Sequence, residues 1–211
     1  MEKFELSRTV SRNLLKIEAI KFNFAEPYTW ASGWKSPVYC DNRLSLSDVA
    51  VRSLISDAYV KIIQTEFPDA EIIAGVATGA IAQGALVAHE LGLPFVYVRE
   101  KPKGHGLMKV IEGGAVAGQK TVIIEDLVST GGSSLKAARE LRNAEAIVLG
   151  MAAIFTYEFP IAAENFMQND CKLHTISTFS TLIEVALEDG YINKTEADKL
   201  IRWYKEPQMY K

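Results

Sequence analysis

The order of segments along the chain predicts an α/β protein with a central, mainly parallel sheet flanked by helices. Three observations lead there. Short, near-continuous apolar runs alternate with stretches of helical period through the middle of the chain. Apolar residues make up 48 % of the 211, enough for one substantial core. No repeat, low-complexity tract or Pro/Gly/Ser linker divides the chain, so a single domain over 1–211 is expected.

Each element has its own signal. Residues 7–21 place Val10, Leu14, Ile17, Ala19 and Ile20 at helical spacing. The segment 22–43, FNFAEPYTWASGWKSPVYCDNR, is aromatic, turn-rich and poor in helix formers, and reads as short strands and loops. Ser47 is placed to cap a helix running to about Phe67, with Leu54, Ile55, Ala58 and Ile62 facing inward. EIIAGVA (71–77) reads as a strand, 80–91 as a helix closed by Gly92, and LPFVYVR (93–99) as a strand. KTVIIED (120–126) is a strand followed by a helix from about Gly132 to Asn143. AIVLGMAAIF (146–155) is a strand, 160–168 a short helix and LHTIST (173–178) a last strand. Two helices close the chain. Asn193 can cap the second while Glu196 returns the bond.

One segment breaks this rhythm. REKPKGHGLMKVIEGGAVAGQ (99–119) lies between two strands with no helical period. A loop of that length inside a compact domain is usually functional or disordered. It carries Arg99, Lys101, Lys103, His105 and Lys109 among glycines.

Composition narrows the class of partner. The net charge is −3, with 23 basic and 26 acidic residues, so there is no global attraction to nucleic acid or anionic membrane. Anion binding must come from local clusters. The two cysteines, Cys40 and Cys171, match no metal or redox spacing. The opening MEKFELSRTV is charged and amphipathic, unlike a signal peptide. A reducing, cytoplasmic setting is expected. No apolar run approaches the roughly 20 residues of a membrane span.

The chemistry gathers at TVIIEDLVSTGGSS (121–134). Two adjacent carboxylates at the end of a buried strand repel each other and cost desolvation, so they call for a ligand. In open α/β sheets that ligand binds beyond the carboxyl ends of the strands. The turn Ser129–Thr130–Gly131–Gly132–Ser133 leads into a helix, where glycines uncover backbone amides and hydroxyls add donors. Acceptors stand next to a phosphate nest, and ribose 5-phosphate satisfies both. The Walker loop would need Lys-Ser/Thr after its glycines, and none is present.

IIEDLVSTGGSS (123–134) resembles the 5-phosphoribosyl diphosphate (PRPP) signature of the type I phosphoribosyltransferases. YTWASGWKSPVYCDNRLSLS (28–47) is similar to the N-terminal hood of the orotate phosphoribosyltransferase family, and VREKPKGHG (98–106) to its catalytic loop. The order and spacing of the three blocks also fit. The resemblance implies the type I fold with a small hood, formed mainly by about 1–45 with contributions from the C-terminal region. It implies transfer of the phosphoribosyl group from PRPP to orotate, giving orotidine 5′-monophosphate and pyrophosphate, one step before UMP.

It also implies roles. PRPP is bound by Arg99, Lys103, His105 and the stretch Glu125, Asp126, Leu127, Val128, Ser129, Thr130, Gly131, Gly132 and Ser133. Glu125 and Asp126 hold the ribose hydroxyls, and Ser129 also touches orotate. Arg99, Lys103 and His105 are catalytic, neutralising the departing pyrophosphate. Mg2+ bridges the pyrophosphate oxygens with no direct protein ligand. In the family the loop reaches the neighbouring subunit, so a homodimer with shared active sites is implied, with no nucleic-acid or membrane partner. GVATGA (75–80) matches the family's pyrophosphate loop, where Thr78 and Gly79 could donate; an ordinary strand-to-helix turn accounts for it equally well.

The chain departs from the family pattern at three places. Glu100 follows the arginine where a lysine is frequent, leaving Lys101 as a substitute or a solvated charge. Ala31 stands where some members have a lysine, with Lys35 nearby. Tyr157 falls where some have an arginine. His89 and His174 read as ordinary helix and strand residues; Trp30 and Trp34 could stack on a base but fit packing in the hood or a dimer contact better, and Trp203 reads as packing for the C-terminal helix. Lys194, Lys199, Arg202 and Lys205 read as a solvated helix face. Two other functions share the signature: another phosphoribosyltransferase, and a nucleotide-sensing regulator of RNA or DNA. The net charge weighs against the regulator.

Overall fold

The computed structural model describes residues 3–30, 33–100 and 110–209. Its helices are α1 (Lys3–Lys16), α2 (Val49–Glu66), α3 (Ile81–Leu91), α4 (Gly132–Asn143), α5 (Pro160–Gln168), α6 (Phe179–Glu188) and α7 (Lys194–Lys205). Its strands are β1 (Ile20–Phe22), β2 (Tyr28–Thr29), β3 (Lys35–Ser36), β4 (Val38–Cys40), β5 (Ile72–Val76), β6 (Phe95–Val98), β7 (Ile111–Glu112), β8 (Lys120–Val128), β9 (Ile147–Thr156) and β10 (Leu173–Thr178). A 3-10 helix spans Asn42–Leu46.

The central sheet has the order β10-β9-β8-β5-β6-β7, parallel except for the β6–β7 pair. Its strands are buried on both faces, which explains their unbroken apolar sequences. Val122 and Ile124 of β8 join a core with residues of α1, α2, α3, α6 and α7. Ile123, between them, joins a second core with Leu135, Ala138 and Leu141 of α4 and Phe166 of α5. The period-2 alternation of β8 therefore sorts its side chains between two helical layers.

Those layers define the site. β5 leads into α3 on one face, and β8 leads into α4 on the other. The connections diverge between β5 and β8 and open a crevice at their carboxyl ends, where such folds bind ligands. Beside it stand two small antiparallel ribbons, β1–β4 and β2–β3. They pack on an aromatic cluster in which Trp30 meets Tyr157 and Trp203 at ring-centroid distances of 4.8 and 5.6 Å. The indole of Trp203 in α7 donates to the Lys35 carbonyl at 3.0 Å, tying the ribbons to the last helix.

Several boundaries differ from expectation. The helix predicted over 7–21 stops at Lys16. Glu18 turns left-handed (φ 57), with its amide on the Leu15 carbonyl and the Ala19 amide on the Leu14 carbonyl. Those are the two bonds of a Schellman stop, after which Ile20 enters β1. Asp48, not Ser47, caps α2, because its carboxylate accepts from the Val51 amide. The buried face of α2 is carried by Ile55, Ala58, Tyr59 and Ile63, with Leu54 and Ile62 only partly covered. Within 99–119, Ile111 and Glu112 form an edge strand and Val116 is buried. The capping box of Asn193 and Glu196 is present on α7.

Candidate active site

The crevice between the ends of β5, β6 and β8 is open to solvent and spans about 750 Å³. Val76 to Gly79, Val98 to Glu100 and Glu125 to Leu127 line three of its walls, and Ser133, Lys136 and Ala137 of α4 the fourth. The acid pair is brought here because β8 runs past the end of β5. β5 pairs with β8 only as far as Gly75 and Ile124, while β9 follows β8 to Val128.

The two acids are not equivalent. Successive strand residues point to opposite faces. Glu125 turns inward and is 4 % exposed, accepting from the Ser134 hydroxyl at 2.8 Å and the Asp126 amide at 3.0 Å. Burial, and then the neighbouring charge of Asp126, push its carboxyl well above the usual range. Asp126 faces the crevice against the backbone of Gly79, where a Cβ would overlap its carboxylate. Gly79 thus serves a close approach, and the Thr78–Gly79 turn, preceded by a cis Ala77–Thr78 peptide, forms one crevice wall.

The turn after the acids is built as a cradle. Gly131 caps α4 in a left-handed conformation (φ 83), and a Cβ there would strike the Phe166 ring. Asn165 of α5 donates to the Thr130 carbonyl at 2.9 Å. The Val128 side chain is in the core and its carbonyl accepts from the Tyr157 amide, so this residue lines neither the crevice nor the aromatic pocket. Gly132 and Ser133 are exposed at the first turn of α4, where free amides and the helix dipole favour an anion.

A second pocket of about 530 Å³ lies on the other side of Leu127, which lines both. Thr29, Trp30, Tyr39, Cys40, Ser129 and Tyr157 complete it. The rings of Trp30, Tyr39 and Tyr157 give it an aromatic lining that suits a flat ring. None of these lining side chains carries a positive charge. Lys35 reaches its rim through a 2.8 Å bond to the Thr29 hydroxyl. Ser129 belongs to this pocket as well as to the turn.

Arg99, at the end of β6, is half-buried and pairs with Glu112 at 3.5 Å. Lys101, Lys103 and His105 lie outside the described residues, as does Ala31. Lys136 was not foreseen as a crevice residue; it donates to the Glu100 carbonyl at 2.8 Å. Its place one turn beyond Gly132 could have revealed it, since residues four apart share a helix face. Among the described residues no three His, Cys, Asp or Glu side chains gather to hold a metal. A further groove of about 610 Å³ between α1, α2 and β10, lined by Leu6, Ile62 and His174, is remote from the acid pair and brings no comparable constellation together.

The phosphoribosyl transferase domain family model matches residues 46–175. The chain is 51 % identical over 205 residues to the orotate phosphoribosyltransferase of Porphyromonas gingivalis, covering 97 % of this chain and 98 % of that protein. Among solved structures it is similar to the orotate phosphoribosyltransferase from Aeropyrum pernix, with a TM-score of 0.76 and 27 % identity over 87 % of this chain and 99 % of that one. The fold is also that of the Mycobacterium tuberculosis H37Rv orotate phosphoribosyltransferase in complex with PRPP. That match has a TM-score of 0.65 and 22 % identity over 85 % of this chain and 98 % of the other.

Proposed function

Because this chain belongs to the orotate phosphoribosyltransferases, within the type I phosphoribosyltransferase fold, we infer that it transfers the 5-phosphoribosyl group of PRPP to orotate. The reaction yields orotidine 5′-monophosphate and pyrophosphate and serves pyrimidine biosynthesis. One observation carries the assignment of parts: an acid pair and an amide-rich turn share an edge with an aromatic pocket, and Leu127 lines both cavities. A phosphorylated sugar in the crevice and a flat base in the pocket would meet across that residue.

The residue roles follow from charge. Orotate N1 gives up its proton and forms a bond to ribose C1 as the bond from C1 to the pyrophosphate oxygen breaks; that bonding pair leaves with pyrophosphate, and the proton passes to pyrophosphate or solvent. Positive charge builds on the ribose and negative charge on the leaving group. Glu125 and Asp126 hold the ribose hydroxyls, and the carboxylate charge of Asp126 favours the cation from beneath. The amides and hydroxyls of 129–133 hold the 5-phosphate, and Ser129 extends to orotate. Arg99 stands at the crevice wall, and Lys103 and His105 follow it in the loop sequence. These three take up the charge on pyrophosphate, and losing one such donor costs about 3 kcal/mol of barrier. Thr78 and Gly79 suit the same group through their backbone.

The acids Glu100, Glu125 and Asp126 line the crevice, and the carboxylate of Asp126 beside Gly79 is a hard oxygen group that would suit Mg2+ arriving on the diphosphate. When bound, that ion supplies further positive charge at the leaving oxygens. A homodimer in which one subunit's loop completes the other's site, acting in the cytoplasm, rests on the family resemblance. Among the described residues no helix is long and apolar enough to cross a membrane.

The direct assay is purified protein with PRPP, Mg2+ and orotate, following loss of orotate absorbance. Turnover with orotate is expected. Inactivity with orotate together with turnover of a purine base would overturn the assignment.

A further inference from the structure

The stretch of β8 that carries the acid pair has lost a strand neighbour. Past Ile124, β5 has turned away toward the Thr78–Gly79 wall, and among the described strands β9 alone continues alongside. Buried carbonyls there need donors from elsewhere. Two side chains supply them. The Tyr59 hydroxyl of α2 donates to the Glu125 carbonyl at 2.6 Å, and the Asn42 amide of the 3-10 helix donates to the Asp126 carbonyl at 2.7 Å. Both donors are buried, at 0 % and 2 % exposure, and neither lines the crevice or the aromatic pocket.

Asn42 is itself fixed by a further hydrogen bond, and Tyr59 by complete burial in the core. The Cys40 thiol donates to the Asn42 side-chain oxygen at 3.3 Å, which turns the amide nitrogen toward Asp126. A tyrosine phenol is already a donor at neutral pH, and burial first, with the charges of Asp126 and Glu125 after it, raises the Tyr59 phenol further. Two consecutive peptide planes are thus pinned from two different elements. The pinning sends one carboxylate toward Ser134 and the other to the crevice beside Gly79.

We propose that Asn42 and Tyr59 are positioning residues for the reaction: they touch no substrate, and they aim the acid pair by holding its two carbonyls. The proposal rests on the reading that this pair takes the ribose hydroxyls. An ångström of misplacement at such a group costs on the order of a hundredfold in rate, and at metal centres the loss of an outer hydrogen-bond partner that aims a ligand costs about 10- to 100-fold.

The test uses the full-length Tyr59→Phe and Asn42→Ala variants. For each, calorimetry gives the affinity for ribose 5-phosphate and, separately, for pyrophosphate with Mg2+. Steady-state kinetics give kcat, and thermal melts confirm folding. Each variant is expected to lose about tenfold or more in kcat and to bind ribose 5-phosphate correspondingly more weakly, with pyrophosphate affinity within about twofold of wild type. A merely structural role would lower the melting temperature without that split between ligands. Wild-type kcat and ribose 5-phosphate affinity in folded Tyr59→Phe would overturn the proposal, as would equal losses for both ligands. Should Asn42→Ala fail to fold, Tyr59→Phe decides alone, because it removes a single oxygen and keeps the ring. If wild-type protein itself bound no ribose 5-phosphate, the site assignment would fall, a result distinct from normal wild-type binding with indifferent variants.

Discussion

At the scale of single residues, the acid pair divides its labour through strand geometry. Both line the crevice, Asp126 against Gly79 and Glu125 buried against Ser134 with its pKa raised by burial and by its neighbour. That shift has a sign that can be measured. A carboxyl whose folded pKa lies above its unfolded value binds more protons when folded. Its contribution to stability is full below the ordinary glutamate pKa and is lost as pH rises through the raised value. Glu125→Gln keeps an acceptor for Ser134 and removes the titration. Its melting temperature, relative to wild type, should therefore climb as pH rises from about 4 toward neutrality. A difference that stays flat or shrinks would show that Glu125 is not held at a raised pKa. The sequence made the acids and the glycine turn visible, because unfavourable neighbours at a strand end announce themselves. It did not make Asn42 or Tyr59 visible. Their hydrogen bonds run to carbonyls 84 and 66 residues away, and such contacts leave no local spacing to read.

At the scale of elements, periodicity located the sheet strands and α4 closely, since their burial on two faces is written into composition. It overran α1, because Ile17, Ala19 and Ile20 continue the helical spacing past a stop made by the left-handed Glu18, a residue with no turn signature. It passed over β7, whose two residues are too few for any pattern. α7 shows how an element distant in sequence shapes the site. Trp203, 1 % exposed, packs edge-on against Trp30 and Tyr157, both lining the aromatic pocket, and bonds to Lys35 beside it. Trp203→Ala should cost about 3–5 kcal/mol of stability. In the fraction that stays folded, the KM for orotate should rise while the affinity for ribose 5-phosphate changes little. Denaturant unfolding and initial-rate kinetics check both parts. An unchanged KM for orotate would mean that this helix supports the core and not the pocket.

At the scale of the whole molecule, the doubly covered sheet explains why the parts converge. Two helices leave adjacent strands on opposite faces, and the opening between them receives Arg99, Lys136, the acid pair and the turn at the start of α4. The homodimer expected from the family makes a sharper demand. Lys103→Ala and Asp126→Ala each disable one half of a shared site, so a mixture should recover activity that neither variant shows alone. In a random mixture of dimers about half are heterodimers, each with one intact site; no recovery after subunit exchange would place loop and crevice in the same subunit. The central claim is that the acid pair and the amide-lined turn together hold a phosphorylated ribose. The most direct measurement is a crystal structure of the protein grown with Mg2+ and PRPP or orotidine 5′-monophosphate. The 5-phosphate should lie on the amides of 129–133 with the ribose hydroxyls at Asp126 and Glu125, and the base should stand in the pocket beyond Leu127. Density for the ligand in any other cavity, with this crevice empty, would contradict the claim.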